Sequence, residues 1–181
     1  MNSQNQVYLS IGSNQGNRLD NINQSIALIN KELGTVLGVS DLYESASWGF
    51  ESDDFYNCAV FLHTTFSAEK VLATILKIEK KLGRVRKSQN YEARIIDIDI
   101  IGFNQAVIKT NKLEIPHPKM QDRLFVLKPL SDLLPKFHHP IINKDVRELL
   151  SDCSDPSDCK NVGKLNCPTA KYQLEKLNYI A

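Results

Sequence analysis

The sequence predicts an α+β domain with helices packed on the faces of a mainly antiparallel sheet. Three observations predict it: two apolar stripes at helical spacing, four short runs of strand composition, and their order, β-α-β-β-α-β, which is the split βαβ arrangement. Val7-Tyr8-Leu9-Ser10-Ile11 is the first strand-like run, stopped by the dense turn signal Gly12-Ser13-Asn14-Gln15-Gly16-Asn17. Leu19, Ile22, Ile26, Ile29 and Leu33 then step by three and four, one apolar stripe on a helix that Gly34 ends. Residues 35–47 are rich in β-branched and aromatic side chains and read as a second strand, 49–54 as a polar loop, and 55–65 as a third strand buried around Cys58-Ala59-Val60-Phe61-Leu62. Ser67 is placed to cap a second helix, with Glu69 in its first turn where the helix dipole favours an acid. Val71, Ile75, Ile78 and Leu82 form its stripe, and Gly83 stands at the C′ position. Residues 84–93 lack periodicity and read as a loop, and 95–103 as a fourth strand. Beyond His117-Pro118, which no regular element tolerates, 123–134 and 145–150 read as helices, Pro135 closing the first.

Length and composition set the class. A chain of 181 residues with 42% hydrophobic and 24% charged residues is expected to form one compact soluble domain, not a disordered, collagen-like or coiled-coil chain. A net charge of +1 gives no footprint for a nucleic-acid or polybasic membrane partner. The polar N-terminus Met1-Asn2-Ser3-Gln4-Asn5-Gln6 is not a secretory signal, and no apolar run approaches the roughly 20 residues of a membrane helix. Cys58, Cys153, Cys159 and Cys167 form no C-x-x-C pair, so free thiols in a reducing cytoplasm are the simplest account. The expected domain covers 1–150. A polar tail, 151–181, has no functional reading, and its end at Leu177-Asn178-Tyr179-Ile180-Ala181 reads as the start of a strand, as at a boundary with a once-fused enzyme domain.

The chemistry concentrates in Arg94-Ile95-Ile96-Asp97-Ile98-Asp99-Ile100-Ile101. On a strand, Asp97 and Asp99 share one face and Ile96, Ile98 and Ile100 the other. Their Cα atoms would stand about 6.5–7 Å apart, a spacing suited to flanking hard cations. A bare D-x-D on a strand is more often a solvated surface. Here Arg84, Arg86, Lys87 and Arg94 stand just upstream, and cations beside a metal site are what a polyphosphate needs. The loop that carries them has the character of a lid. His117 and Arg123 could add phosphate contacts. Phe55 and Phe125 are candidates for stacking on a flat heterocycle, with Asn57 on the same strand face as Phe55 to hydrogen-bond its edge.

Ile11-Gly12-Ser13-Asn14, Tyr43, Phe55-x-Asn57, Gly83-Arg84-Val85-Arg86, Arg94-x-x-Asp97-Ile98-Asp99 and Ile115-Pro116-His117 with Arg123-x-Phe125 occur in order. Together, over roughly residues 7–150, the pattern resembles the 6-hydroxymethyl-7,8-dihydropterin pyrophosphokinase family of folate biosynthesis. The resemblance implies a ferredoxin-like fold and transfer of diphosphate from ATP to the pterin hydroxymethyl group, with release of AMP. It implies that Asp97 and Asp99 hold two Mg2+ ions, that Arg84 and Arg94 grip the transferring group, and that Arg86, His117 and Arg123 contact ATP phosphates while Ile100 lines the adenine pocket. Phe55 and Phe125 would sandwich the pterin, Asn57 and backbone near Ser45, Ala46 and Trp48 would read its polar edge, and Gly12 would let the backbone approach it. Asn90, Tyr91, Glu92, Pro118 and Ala46 depart from the family pattern, which bears on the lid more than on the metal site. The implied partners are the two small molecules, with no nucleic acid or membrane, and a monomeric chain. An RNA-binding module shares the element order but needs surface aromatics and a basic face, where this fourth strand carries two acids. A non-catalytic interaction domain would leave the acid pair and basic loop without purpose.

Overall fold

The structure, a computed structural model, describes residues 4–47, 52–84 and 93–165. Of the residues singled out above, Trp48, Val85, Arg86, Lys87, Asn90, Tyr91, Glu92 and Cys167 lie outside the described residues, as do 1–3 and 177–181. The main sheet comprises β1 (Asn5–Ser13), β2 (Thr35–Val39), β3 (Leu42–Ser45), β4 (Phe55–Thr64), β5 (Asp97–Phe103) and β8 (Cys159–Gly163). Its order is β5-β1-β4-β3-β8, with β2 also on β4, and its pairings are antiparallel. The four expected runs therefore lie fourth-first-third-second, the ferredoxin-like order. Two further short strands, β6 (Ile108–Lys109) and β7 (Glu114–Ile115), make a small hairpin after β5.

Residues 35–47 form two strands where the sequence predicts one. Ser40 is the reason. Its Oγ accepts the Ala59 N–H at 2.9 Å and donates to the Asp41 carbonyl at 2.7 Å, so a side chain stands where the ladder would place a backbone carbonyl. The tail supplies β8, the edge strand on β3, although nothing in its composition announces a strand.

Helix α1 (Arg18–Glu32) is capped by Asn17, which accepts the Asp20 N–H, and buries Ile22, Ile26 and Ile29. Leu19, placed on the same stripe by its spacing, is instead 43% exposed in the first turn. Helix α2 (Ala68–Lys81) follows its Ser67 cap and buries Val71, Ile75 and Ile78, and Gly83 takes the positive φ of 94° that C′ requires. Both helices cover one sheet face, over Val7, Leu9, Ile11, Val60, Leu62 and Ile98. The opposite face presents Tyr8, Phe61 and Ile101 to α3 (Leu124–Leu133) and α4 (Val146–Asp152). Helix α3 begins one residue later than expected. Arg123 is extended, with φ −132° and ψ 110°, between a 3-10 turn (Met120–Asp122) and the helix. No helix among the described residues is long and apolar enough to cross a membrane.

Candidate active site

Strand β5 lies at the sheet edge, so one of its long sides is open. A cleft of about 380 Å3 runs there, between Leu72 and Leu76 of α2 and the Lys112–Glu114 hairpin with His117. Arg84, Arg94, Asp97 and Asp99 line it, as does Ile100. The alternation predicted for this strand holds: Ile96, Ile98 and Ile100 are buried, and Asp97 and Asp99 are half-buried within the cleft.

Opposite charges crowd the acid pair. Arg84 donates to Asp97 at 2.6 Å, and Arg94 pairs with the other Asp97 oxygen. Arg84 also pairs with Glu79 of α2, whose side chain is 2% exposed and accepts the Ile98 N–H at 2.9 Å. Burial works against the Arg84 charge, but Asp97 and Glu79 more than offset it and hold the guanidinium protonated. Among the described residues, Asp99 has no such ion pair. Burial first, then the Asp97 charge, push its carboxyl up to about 7, against a weaker pull from Arg123. His117 donates its main-chain N–H to the Ile101 carbonyl at 3.0 Å, and its Nδ1 accepts the Lys119 N–H at 3.2 Å. Burial and the Arg123 charge lower it to about 4, so the ring is neutral near pH 7 and Nε2 carries the proton.

A second group of residues adjoins the first through the sheet. Gly12 pairs with Asp97 on β5 and with Asn57 on β4, and Asn57 pairs with Tyr43 on β3, so four strands contribute to one row on one face. Asn57 is 3% exposed and donates from Nδ2 to Ser45 Oγ at 2.9 Å. A Cβ at Gly12 would stand 3.1 Å from Asn57 Oδ1 and 3.4 Å from Phe55 Cδ1, so glycine keeps this spot open beside both side chains. Ala46 is exposed just past β3. Phe125 is half-buried in the first turn of α3, with the Arg123 guanidinium 5.5 Å from its ring centre. The structure thus gathers Arg84, Arg94, Asp97, Asp99, Ile100 and His117 in one cleft and Gly12, Ser45, Phe55 and Asn57 beside it. Arg123 and Phe125 adjoin from α3.

Two residues of this site escape the sequence reading. Glu79, an acid on the buried side of a helix stripe, is the signal that could have found the first. Asn14 is the second: its Oδ1 accepts the Arg94 N–H at 2.6 Å while its Nδ2 donates to Ser52 Oγ at 2.9 Å and to the Asp53 carbonyl at 3.1 Å. It ties the chain at Arg94 to the loop before β4, a role that its place in the Ile11-Gly12-Ser13-Asn14 motif does not reveal. No group of three or more His, Cys, Asp or Glu side chains able to hold a metal occurs among the described residues.

Residues 8–135 match the family model described as 7,8-dihydro-6-hydroxymethylpterin-pyrophosphokinase. A protein of Dictyostelium discoideum named folic acid synthesis protein FOL1 is 44% identical over 138 residues, covering 76% of this chain but 21% of that longer protein. The 2-amino-4-hydroxy-6-hydroxymethyldihydropteridine pyrophosphokinase of Aquifex aeolicus is 36% identical over 143 residues, 78% of this chain and 88% of that enzyme. The Bacillus subtilis protein of the same name is 38% identical over 129 residues, 70% and 77% of the two chains. Among solved structures, Plasmodium falciparum HPPK-DHPS superposes with a TM-score of 0.68 at 18% identity, covering 83% of this chain and 43% of that one, a likeness of fold. With the βαββαβ sheet, the edge-strand acid pair and these matches in agreement, the chain belongs to the 7,8-dihydro-6-hydroxymethylpterin-pyrophosphokinase family of enzymes.

Proposed function

We propose that this chain transfers the β,γ-diphosphate of ATP to the hydroxymethyl oxygen of 6-hydroxymethyl-7,8-dihydropterin, yielding AMP and the pterin diphosphate for folate biosynthesis. The observation that carries this reading is the half-buried Asp97–Asp99 pair, flanked by Arg84 and Arg94 in a cleft that adjoins the Gly12–Asn57 pocket. The donor set fits magnesium. Mg2+ takes one or two carboxylates and completes its shell with phosphate oxygens and water, and Asp97 and Asp99 offer two on one strand, while the third acid of the lining, Glu114, pairs with Lys109. Asp97 and Asp99 would hold two such ions, which when bound neutralise phosphate charge and lower the cost of bringing the alcohol to phosphorus.

The chain's own groups do the rest. Arg84 and Arg94, now paired with Asp97, exchange that carboxylate for phosphate oxygens and follow the charge that develops as the bond to the AMP leaving group breaks. Neutral His117 donates from Nε2 to a phosphate oxygen without adding a charge, and Arg123 and Arg86 supply further cationic contacts. Ile100, with Leu72 and Leu76, gives the adenine an apolar seat. Phe55 and Phe125 cover the pterin faces, while Asn57, Ser45 and backbone at Ala46 and Trp48 read its edge. Small molecules are the proposed partners of a monomeric, cytoplasmic chain.

The test is nucleotide analysis with ATP and Mg2+, with and without the reduced pterin. AMP formed only when pterin is present is the expected result; ADP, or no nucleotide product, rejects the reading. Asp97→Ala and Asp99→Ala should each abolish turnover in a folded chain, and Arg86→Ala should be milder than Arg94→Ala. Rates like the parent's in either aspartate variant would remove the metal assignment.

A further inference from the structure

The segment after α4 reaches both sides of the proposed pterin pocket. On one side, Asp155 Oδ2 accepts the Leu124 N–H at 2.9 Å, across 31 residues of sequence. Leu124 opens α3, and Arg123 in the cap position supplies no side-chain cap of its own, so an acid from another segment satisfies a first-turn donor and faces the positive end of the helix dipole. Asp155 Oδ1 accepts the Ser157 N–H at 3.0 Å, which holds the carboxylate in that orientation. On the other side, Cys159 pairs with Ser45 of β3, whose hydroxyl receives the Asn57 amide. Lys128 of α3 donates to the Cys159 carbonyl at 2.6 Å, closing the span between helix and strand.

We propose that Asp155 is a positioning residue for the pterin half of the site: by anchoring the start of α3 to the β3 edge through residues 155–159, it sets where the Phe125 ring stands relative to Ser45 and Asn57. This rests on the reading of Phe125 as a pterin wall. The depressed pKa of Asp155 agrees with the geometry: burial opposes the charge, but the Leu124 and Ser157 donors outweigh it and keep the acceptor ionised. The effect falls unequally on the two substrates. Phe125 has two side-chain torsions and must lie flat on a ring, so a shift of its backbone is not recoverable. Arg123, with a long jointed side chain, reaches a phosphate from a displaced backbone.

Steady-state kinetics of the full chain test this. Losing the cap in Asp155→Ala should raise the KM for pterin about tenfold and the KM for ATP less than about threefold, with kcat near the parent value. Asp155→Asn keeps an acceptor oxygen and should restore the pterin KM to within about threefold. An unchanged pterin KM in the alanine variant, or equal rises in both KM values, overturns the proposal. Absence of AMP formation by the parent chain would instead sink the proposed function. If the alanine variant does not fold, the parent chain carries the test. Saturating pterin must slow hydrogen exchange at the Leu124 amide, and an unchanged rate overturns the positioning role.

Discussion

Asp99 sits beside Asp97 in a cleft too recessed to hydrate both charges, and its pKa rises from the usual 3.8 to about 7. Between those values the folded chain binds more protons than the unfolded one, so Asp99 subtracts stability as pH rises through about 7. His117 has the opposite sign: lowered from 6.5 to about 4, it makes the fold lose stability as pH falls across that window. Replacing Asp99 by Asn removes only the first effect. In chelator, the variant should melt higher than the parent by about 2–4 °C at about pH 8, equivalent to about 1 kcal/mol, and by less at about pH 5. Thermal melts at the two pH values check this, and an equal difference at both would contradict it. The acid pair itself was legible in sequence, because alternation along a strand is a local rule. Its surroundings were not. Glu79 reaches Arg84 and the Ile98 N–H only because α2 packs against the start of β5, a tertiary fact.

At the scale of elements, both long helices could be read from spacing and caps, since Asn17, Ser67 and Gly83 act within a turn of the residues they serve. Gly34 marked the end of α1 for a different reason than a helix stop. A Cβ there would lie 2.2 Å from the His63 carbonyl oxygen and 2.9 Å from Thr64 Cβ, so the residue is glycine because β4 passes against it. Gly34→Ala should destabilise the fold by about 3 kcal/mol, read as a lower urea midpoint. A midpoint like the parent's would show that β4 can yield. The break at Ser40 and the recruitment of β8 were illegible, because each depends on a partner strand: Ala59 presents the N–H that Ser40 takes, and β3 presents the edge that the tail completes. Helix α3, by contrast, was legible at 123–134 although it holds Pro129 in its interior.

Across the whole molecule, one sheet carries two apolar layers. Val7, Leu9 and Ile11 belong to the α1–α2 side and Tyr8 to the α3–α4 side, so β1 cannot leave one layer without opening the other. Urea unfolding should therefore show one transition, coincident in far-ultraviolet circular dichroism and in the near-ultraviolet tyrosine signal. Separate midpoints would mean that the layers come apart independently. The two-layer plan was legible from element order; how the named site residues meet was not, since they arrive from β1, β3, β4, β5 and α3 at once. Asp97, Gly12 and Asn57 stand on adjacent strands joined rung by rung. The interval from acid to amide is thus counted in whole rungs, about 9.5 Å for two, and cannot drift by fractions. Descendants of this chain can exchange side chains along the row or reshape its loops, but a different interval would require a strand gained or lost. What is inherited here is a ruler cut into the main chain, and mutation can repaint its marks without moving them.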